Sequence, residues 1–337
     1  MDCKEIRYAM EREYFSPYAA LSEKTRGRRR PEEPCPIRTD YQRDRDRIIH
    51  CNSFRRLKHK TQVFLAPQGD HYRTRLTHTL EVSQIARTIA RALNLNEDLT
   101  EAIAMGHDLG HTPFGHAGER ALNRVCPFPF YHHLQSVRVT DVLERDGKGL
   151  NLTYEVRNGI VCHSSGGGKA QAVTLEGRIV RLSDKVAYIN HDIEDALRGG
   201  IIYPMDIPLA ISKILGFTHG ERINALVEDV ITASRDQDAI CQSPEVGEAM
   251  AALREFMFES VYTNPLAKGE EGKAQEMLRR LFEHYQKNPD ELPPDFQEIR
   301  LEEGVDRAVC DYIAGMTDPF AIEQFTKLFI PMAWTVK

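Results

Sequence analysis

The chain has 337 residues and a formal net charge of −6 at pH 7, with 41% hydrophobic and 28% charged residues. This composition is typical of a soluble globular protein, and the length is sufficient for a full hydrophobic core. No run of about 18 apolar residues occurs, so the sequence predicts no helix that spans a membrane. The seven cysteines are scattered without a CxxC pair, and the charged N-terminus lacks an apolar signal core. We therefore expect a cytoplasmic protein without disulfides.

The charge is distributed unevenly along the chain. Residues 24–60 hold 13 Lys or Arg against 5 Asp or Glu, so the remainder of the chain is strongly acidic. A basic segment in an acidic protein is a candidate site for an anion, either nucleotide phosphates or single-stranded nucleic acid. For residues 24–30 (KTRGRRR) a solvated arm without a ligand is an equally good interpretation.

Apolar periodicity predicts helices along almost the whole chain. Residues 1–39 are expected to form one short helix and then a Pro/Arg-rich loop, after which a helical pattern begins at Asp40, a plausible N-cap. Residues 61–65 could form a short strand before a PQGD turn, so the sequence allows at most a small β-hairpin near residues 61–72. Further helices are predicted over residues 75–93, 97–109, 115–125, 132–144, 152–162 and 175–193.

The last third of the chain indicates helical pieces joined by Pro/Gly loops. The sequence therefore predicts an all-α fold in three parts. These are an N-terminal helix with a basic loop (residues 1–39), a core that carries the motifs between residues 75 and 192 (residues 40–203), and a helical C-terminal region packed on that core (residues 204–337).

Residues 105–119 (MGHDLGHTPFGHAGE) concentrate groups that can bind a metal ion or carry a proton. They are His107, Asp108, His111, His116 and Glu119. Histidine and carboxylate groups are costly to bury unpaired, so their clustering among glycines indicates a working site. His116 and Glu119 stand at i and i+3 of a predicted helix and hence share one face. A surface pair of side chains is the alternative for these two residues.

A set of four possible metal ligands is spread over three predicted helices. The residues are His78, the adjacent pair His107 and Asp108, and Asp184. Two imidazoles and two carboxylates suit octahedral coordination of one divalent ion, and mixed N/O ligation favours Mn²⁺, Fe²⁺, Co²⁺ or Ni²⁺ over Mg²⁺. This ligand order resembles the HD superfamily of metal-dependent phosphohydrolases, and the resemblance implies an HD-domain helical fold.

The match extends to a narrower family. The segments FRRLKHKTQVF, RTRLTHTLEV, HDLGHTPFGHAGE, HHLQS and RLSDKVAYINHDIEDAL, over about half the chain, resemble the dGTP triphosphohydrolase family in its shorter bacterial form. Such enzymes hydrolyse a deoxynucleoside triphosphate (dNTP) to the deoxynucleoside and tripolyphosphate. The segment that begins at His132 reads HHLQS here, where many relatives have HNEQS.

The resemblance implies a role for each candidate residue. His78, His107, Asp108 and Asp184 would hold the metal; His116 and Glu119 would activate or position water; His111 and His132 would lie near the scissile phosphate; Arg75 and Lys185 would contact phosphate; Gln62, Tyr188 and Asp192 would surround the deoxyribose. Without the resemblance, Asp184 could be a solvated helix carboxylate. Arg75 and Lys185 could likewise be solvated charges, and Tyr188 a packing residue. His133, His163 and His191 receive no role, and we expect each to be a hydrogen-bonded structural histidine.

Two other functions remain open from the sequence. One is an HD phosphohydrolase that acts on a monophosphate or a cyclic nucleotide. The other is a nucleic-acid-binding or regulatory protein that uses the site as a sensor, for which the basic segment is the motivation. The family resemblance also implies a homo-oligomer, and a dNTP or single-stranded DNA could act as an effector at the basic segment.

Overall fold

The computed structural model describes residues 3–62, 72–164, 170–264 and 269–331. Within these ranges the chain is helical, and its β pairing is limited to isolated antiparallel bridges between Arg28 and Thr153 and between Thr61 and Thr74. The all-α prediction is confirmed. Thr61 forms one bridge of the hairpin that the sequence allowed, and residues 63–71 of that hairpin lie outside the described residues. No helix in the described ranges is both long and apolar enough to cross a bilayer.

We number the α-helices in chain order. They are α1 (Cys3–Tyr14), α2 (Asp40–Ile49), α3 (Asn52–Arg56), α4 (Arg75–Ala92), α5 (Glu97–Gly106), α6 (Gly115–Val125), α7 (His132–Arg138), α8 (Tyr154–Cys162), α9 (Leu175–Arg198), α10 (Leu209–Leu215), α11 (His219–Ser234), α12 (Pro244–Met257), α13 (Glu271–Lys287), α14 (Pro294–Glu303), α15 (Val305–Gly315) and α16 (Asp318–Phe329). Short π-helical segments continue α7 over Val139–Leu143 and α12 over Phe258–Tyr262.

Capping residues set the helix boundaries and correct two predictions. Thr39, and not Asp40, caps α2, since the Thr39 hydroxyl accepts from the Gln42 backbone N–H and the Gln42 side chain bonds back to Thr39. The helix predicted over residues 97–109 ends at Gly106, which leaves His107 and Asp108 at the start of a tight turn. The predicted start of α6 at Gly115 is confirmed.

The basic segment is not a solvated arm at Arg28. The Arg28 side chain is 5% exposed and forms an ion pair with Asp44, whose carboxylate is fully buried. Arg29 lies 3.1 Å from the Asp141 carboxylate, and Arg30 donates to a backbone carbonyl. The solvated-arm interpretation of this segment is therefore wrong for Arg28, and its guanidinium is already occupied within the fold.

Two hydrophobic clusters organise the helices. The larger cluster lies between α4, α5 and α9, and α10 to α12 pack into it. One side of α9, from Leu175 to Ile193, is buried in this cluster, and Leu182 packs against it partly buried. The smaller cluster joins α6 to α13, α15 and α16 through Leu122, Leu278 and Val309, among others. Helix α6, which carries His116 and Glu119, is therefore held against the C-terminal helices.

Candidate active site

Three packed helices bring the four predicted metal ligands together. His78 lies on the first turn of α4, His107 and Asp108 follow α5 directly, and Asp184 lies on α9; α4 packs against both other helices. Nε2 of His78 is 3.2 Å from Oδ1 of Asp184 and 3.8 Å from Oδ2 of Asp108. Nε2 of His107 is 3.5 Å from the same Asp108 oxygen. His78, His107 and Asp108 thus converge on one small volume, and Asp184 lies beside it against His78.

The hydrogen bonding of His107 fits a metal ligand. Its Nδ1 lies 2.7 Å from the Ala104 carbonyl oxygen, which can only accept, so Nδ1 carries the hydrogen. Nε2 is then the free nitrogen, and it is buried without a hydrogen-bond partner. A divalent cation could supply the partner that this buried nitrogen lacks. The nitrogen and oxygen donors of the cluster suit Mn²⁺, Fe²⁺, Co²⁺ or Ni²⁺.

The charges of the cluster also favour a cation. Burial alone would raise the pKa of the Asp108 carboxyl, but His107 and Arg75 hold that pKa well below its usual range. Burial opposes protonation of His107, yet the neighbouring Asp108 raises the pKa of this imidazole to about 9. The same negative charge that favours protonation of His107 would favour a divalent cation at Nε2, and binding of the cation would release that proton.

The Glu119 carboxylate accepts hydrogen bonds from two histidines, His116 and His132. Its Oε2 is 2.8 Å from Nδ1 of His116, and its Oε1 is 3.1 Å from Nδ1 of His132 and accepts the His132 backbone N–H at 2.9 Å. Burial would raise the pKa of Glu119, but the bonds from His116 and His132 lower it far below its usual range. Both imidazoles therefore carry a hydrogen on Nδ1 and present Nε2 to other groups. His111 stacks on His132, with ring centroids 4.2 Å apart.

A cavity of about 620 Å³ opens onto these groups, within the size range of small-molecule sites. All the candidate residues line it except His107 and Glu119, which stand behind Asp108 and the paired histidines. The lining candidates are Gln62, Arg75, His78, Asp108, His111, His116, His132, Asp184, Lys185, Tyr188 and Asp192.

Arg75 is not a solvated charge. Arg75 is 2% exposed, and its Nη1 donates to Oδ2 of Asp108 at 2.6 Å. Its Nη2 donates to the carbonyls of Thr61 and Gln62 at 3.2 and 3.3 Å. The guanidinium is thereby fixed beside the metal cluster and anchors the segment that brings Gln62 to the cavity.

Sequence reasoning missed several residues of the cavity wall. Arg254, Phe258 and Tyr262 come from α12 and the π-helical segment that continues it, at a spacing of four residues. That spacing is the only signal in the sequence, and ordinary amphipathic helices share it. His163 also lines the cavity: its Nδ1 donates to the Ile160 carbonyl, and its Nε2 lies 3.8 Å from Oδ1 of Asp108.

Comparison with known proteins agrees with this geometry. The HD domain family matches residues 75–189, and the phosphohydrolase-associated domain family matches residues 240–327. The helical fold and the His/Asp cluster define an HD-domain phosphohydrolase. The chain is 56% identical over 336 residues to a deoxyguanosinetriphosphate triphosphohydrolase-like protein of Caldanaerobacter subterraneus subsp. tengcongensis, with 99% of this chain and 98% of that protein covered. It belongs to the family of deoxyguanosinetriphosphate triphosphohydrolase-like proteins.

A second relative extends this result. The protein of the same name from Desulfatibacillum aliphaticivorans is 49% identical over 347 residues, with 98% of this chain and 99% of that protein covered. Among solved structures, a hypothetical protein from Aquifex aeolicus is similar with a TM-score of 0.47 and 20% identity, over 85% of this chain and 71% of that one.

Proposed function

We propose that this protein is a metal-dependent dNTP triphosphohydrolase that cleaves dGTP or another dNTP into the deoxynucleoside and tripolyphosphate. One observation carries the proposal: a single cavity joins the four-residue metal cluster, buried or half-buried cationic side chains and two histidines held by one carboxylate. The names of the relatives supply the dGTP-related substrate class.

His78, His107, Asp108 and Asp184 would hold one divalent ion. When bound, that ion would supply positive charge at the α-phosphate and lower the pKa of a bound water. Arg75 and Lys185 would add charge for the remaining phosphate oxygens, which phosphoryl transfer requires. The Arg254 side chain lines the same part of the cavity as Lys185, where burial and the nearby Arg181 and Arg254 lower the pKa of the Lys185 ammonium.

His116 is the proposed general base. Its Nε2 would accept a proton from the attacking water, since Nδ1 already donates to Glu119. The Glu119 carboxylate would then stabilise the imidazolium, and it holds the ring in the tautomer that a base needs. The family resemblance implies that His111 and His132 would lie beside the phosphate that is attacked. Both line the cavity, where their rings stack on each other.

The deoxyribose would lie against Gln62, Tyr188 and Asp192. The Oε1 atom of Gln62 is buried without a hydrogen-bond partner, so it has capacity for a ligand hydroxyl. Asp192 is 1% exposed and accepts from the Tyr262 hydroxyl. These groups would favour a substrate whose sugar hydroxyl can bond to them over a polyphosphate that carries no sugar.

The test is a panel of four dNTPs and four NTPs with Mn²⁺, Fe²⁺, Co²⁺, Ni²⁺ or Mg²⁺, with nucleoside and phosphate products separated by ion-exchange chromatography. We expect tripolyphosphate from at least one dNTP, and loss of that product in His107→Ala and Asp108→Ala. Asp306→Ala, on the surface of α15, is the matched control and should retain activity. Release of inorganic phosphate or pyrophosphate without tripolyphosphate would contradict the proposal. Parallel incubations with deoxynucleoside monophosphates and cyclic nucleotides cover the alternative substrate classes.

The family resemblance also supports a homo-oligomer, and light scattering at several protein concentrations would test this directly. A dNTP or single-stranded DNA effector would appear in the same panel as activation by a second nucleotide or oligonucleotide. The buried ion pair of Arg28 removes one of the charges on which nucleic-acid binding would depend.

A further inference from the structure

A line of buried contacts leads away from the metal cluster behind His78. Nδ1 of His78 lies 3.0 Å from Nε2 of His191. Nδ1 of His191 lies 2.8 Å from Oδ1 of Asp192, and Oδ2 of Asp192 accepts from the hydroxyl of Tyr262. His78, His191 and Asp192 are each at most 1% exposed, so water does not compete for these contacts.

The partners of each ring fix where the hydrogens lie. Nε2 of His78 faces Asp184 at 3.2 Å and must carry its lone pair if it is to bind a cation. The hydrogen of His78 is then on Nδ1, where it donates to Nε2 of His191. The hydrogen of His191 is in turn on Nδ1, beside the Asp192 carboxylate. With both imidazoles neutral, this assignment gives the His78–His191 hydrogen bond one donor and one acceptor. Nδ1 of His191 and Oδ1 of Asp192 lie 2.8 Å apart and attract each other, without the alignment of a hydrogen bond.

We propose that His191 is a positioning residue that holds His78 in the tautomer and orientation required of a metal ligand. A ligating histidine is commonly held by a bond from its other ring nitrogen, which orients the ring and increases its basicity. His107 obtains this bond from a backbone carbonyl, and His78 obtains it from His191. This role of His191 could not be predicted from the sequence, because only the fold shows which ring faces His78.

Asp192 and Tyr262 complete the arrangement. The Asp192 carboxylate favours the hydrogen of His191 on Nδ1 over Nε2, because Oδ1 lies 2.8 Å from Nδ1. A hydrogen on Nε2 would face the Nδ1–H of His78 and repel it. Tyr262, from the π-helical segment after α12, occupies the second oxygen of Asp192 and so holds that carboxylate in place.

The experiment measures Mn²⁺ binding to the full-length, metal-depleted protein by equilibrium dialysis, with no nucleotide present. In His191→Leu we expect the Kd for Mn²⁺ to rise about 10- to 100-fold. In His191→Gln the amide oxygen can accept from His78, so most of the affinity should return. His133→Leu is the matched control, since His133 is buried but lies outside the cavity and this line of contacts, and its Kd should equal that of the wild type.

A wild-type Kd for Mn²⁺ in His191→Leu would overturn the inference. A lower melting temperature of the metal-free variant beside that unchanged Kd would show that His191 is a purely structural residue. If His191→Leu does not fold, Asp192→Asn gives the second test, and an unchanged Kd there has the same meaning.

The inference rests on the metal cluster of the proposed function and not on its substrate. A protein that binds Mn²⁺ through His191-dependent contacts but releases no tripolyphosphate would refute the proposed function alone.

Discussion

Asp318, the first residue of α16, ties the C-terminal helices to both segments that enter the cavity. Its carboxylate accepts the backbone N–H of Thr61 at 3.0 Å, the Thr61 hydroxyl, and the backbone N–H of Phe114 at 2.9 Å. Phe114 has φ 61°, a left-handed conformation that is unfavourable for a bulky residue, and it immediately precedes α6. Asp318 therefore stabilises the turn from which His116 projects.

We expect Asp318→Ala to lower the free energy of unfolding by about 2–6 kcal/mol. Asp318 is 7% exposed, so the substitution leaves two backbone N–H groups without an acceptor and with little access to water. Each unpaired buried group costs about 1–3 kcal/mol, and the strain at Phe114 is no longer opposed. Turnover should fall as well, because the start of α6 can relax away from the cavity.

The assay is urea unfolding of metal-free protein, followed by circular dichroism, together with initial rates on the preferred dNTP. Asp306→Ala is the matched control: Asp306 is also in the first turn of a helix, but its partner is the exposed Gln286 side chain, and we expect a loss below about 1 kcal/mol. The Kd for Mn²⁺ should stay near the wild-type value in both variants. A loss below about 1 kcal/mol in Asp318→Ala would refute the reasoning.

Three further predictions concern stability. Arg28→Ala should lower the free energy of unfolding in urea by about 3–5 kcal/mol, because it leaves the Asp44 charge buried and unpaired. Arg29 is exposed, so Arg29→Ala should lower it by less than about 1 kcal/mol. Equal losses in the two variants would contradict this prediction. In Gly110→Ala the new Cβ would lie 2.1 Å from the backbone nitrogen of Ser136 in α7, so we expect a loss of about 1–3 kcal/mol or more by thermal unfolding. A wild-type melting temperature would refute this prediction. Burial raises the pKa of Glu176, so the stabilising contribution of its protonated form is complete below the unfolded pKa and is lost as pH rises through the folded pKa. Glu176→Gln should therefore gain stability relative to wild type as pH rises above the unfolded pKa, by about 1.4 kcal/mol for each unit by which the folded pKa exceeds it. A pH-independent difference would exclude this.

The sequence was sufficient to predict the helices that carry the site. The bounds of α6 agree with the structure, because apolar periodicity and the glycine at its start indicate where the helix lies. The family resemblance, and not periodicity, was the reason to expect His78 and Asp184 together, and the structure places them 3.2 Å apart. Local hydrogen bonding was harder to predict. The cap of α2 is Thr39 rather than its neighbour, because the choice depends on whether the Gln42 side chain can bond back.

The residues that sequence reasoning missed share a physical cause. The role of a histidine depends on what faces each ring nitrogen, and for His163 and His191 those partners come from other parts of the site. Arg254 and Tyr262 reach the cavity from helices beyond the HD match, so no local pattern connects them with it. Arg28 looked like a surface charge because its buried partner is known only from the fold.

The cavity wall is built from distant parts of the chain, and this limits what a truncated form of the protein can do. Arg254 and Tyr262 line the cavity but lie outside the HD match at residues 75–189. Asp318, nearer still to the C-terminus, accepts the backbone N–H of Phe114 in the cavity wall. A fragment cut to residues 75–189 would contain the four proposed metal ligands but would lack His191 behind His78, one side of the cavity and the brace beneath the proposed base. Such a fragment should bind Mn²⁺ more weakly than the full chain and should be unsuitable for measuring turnover.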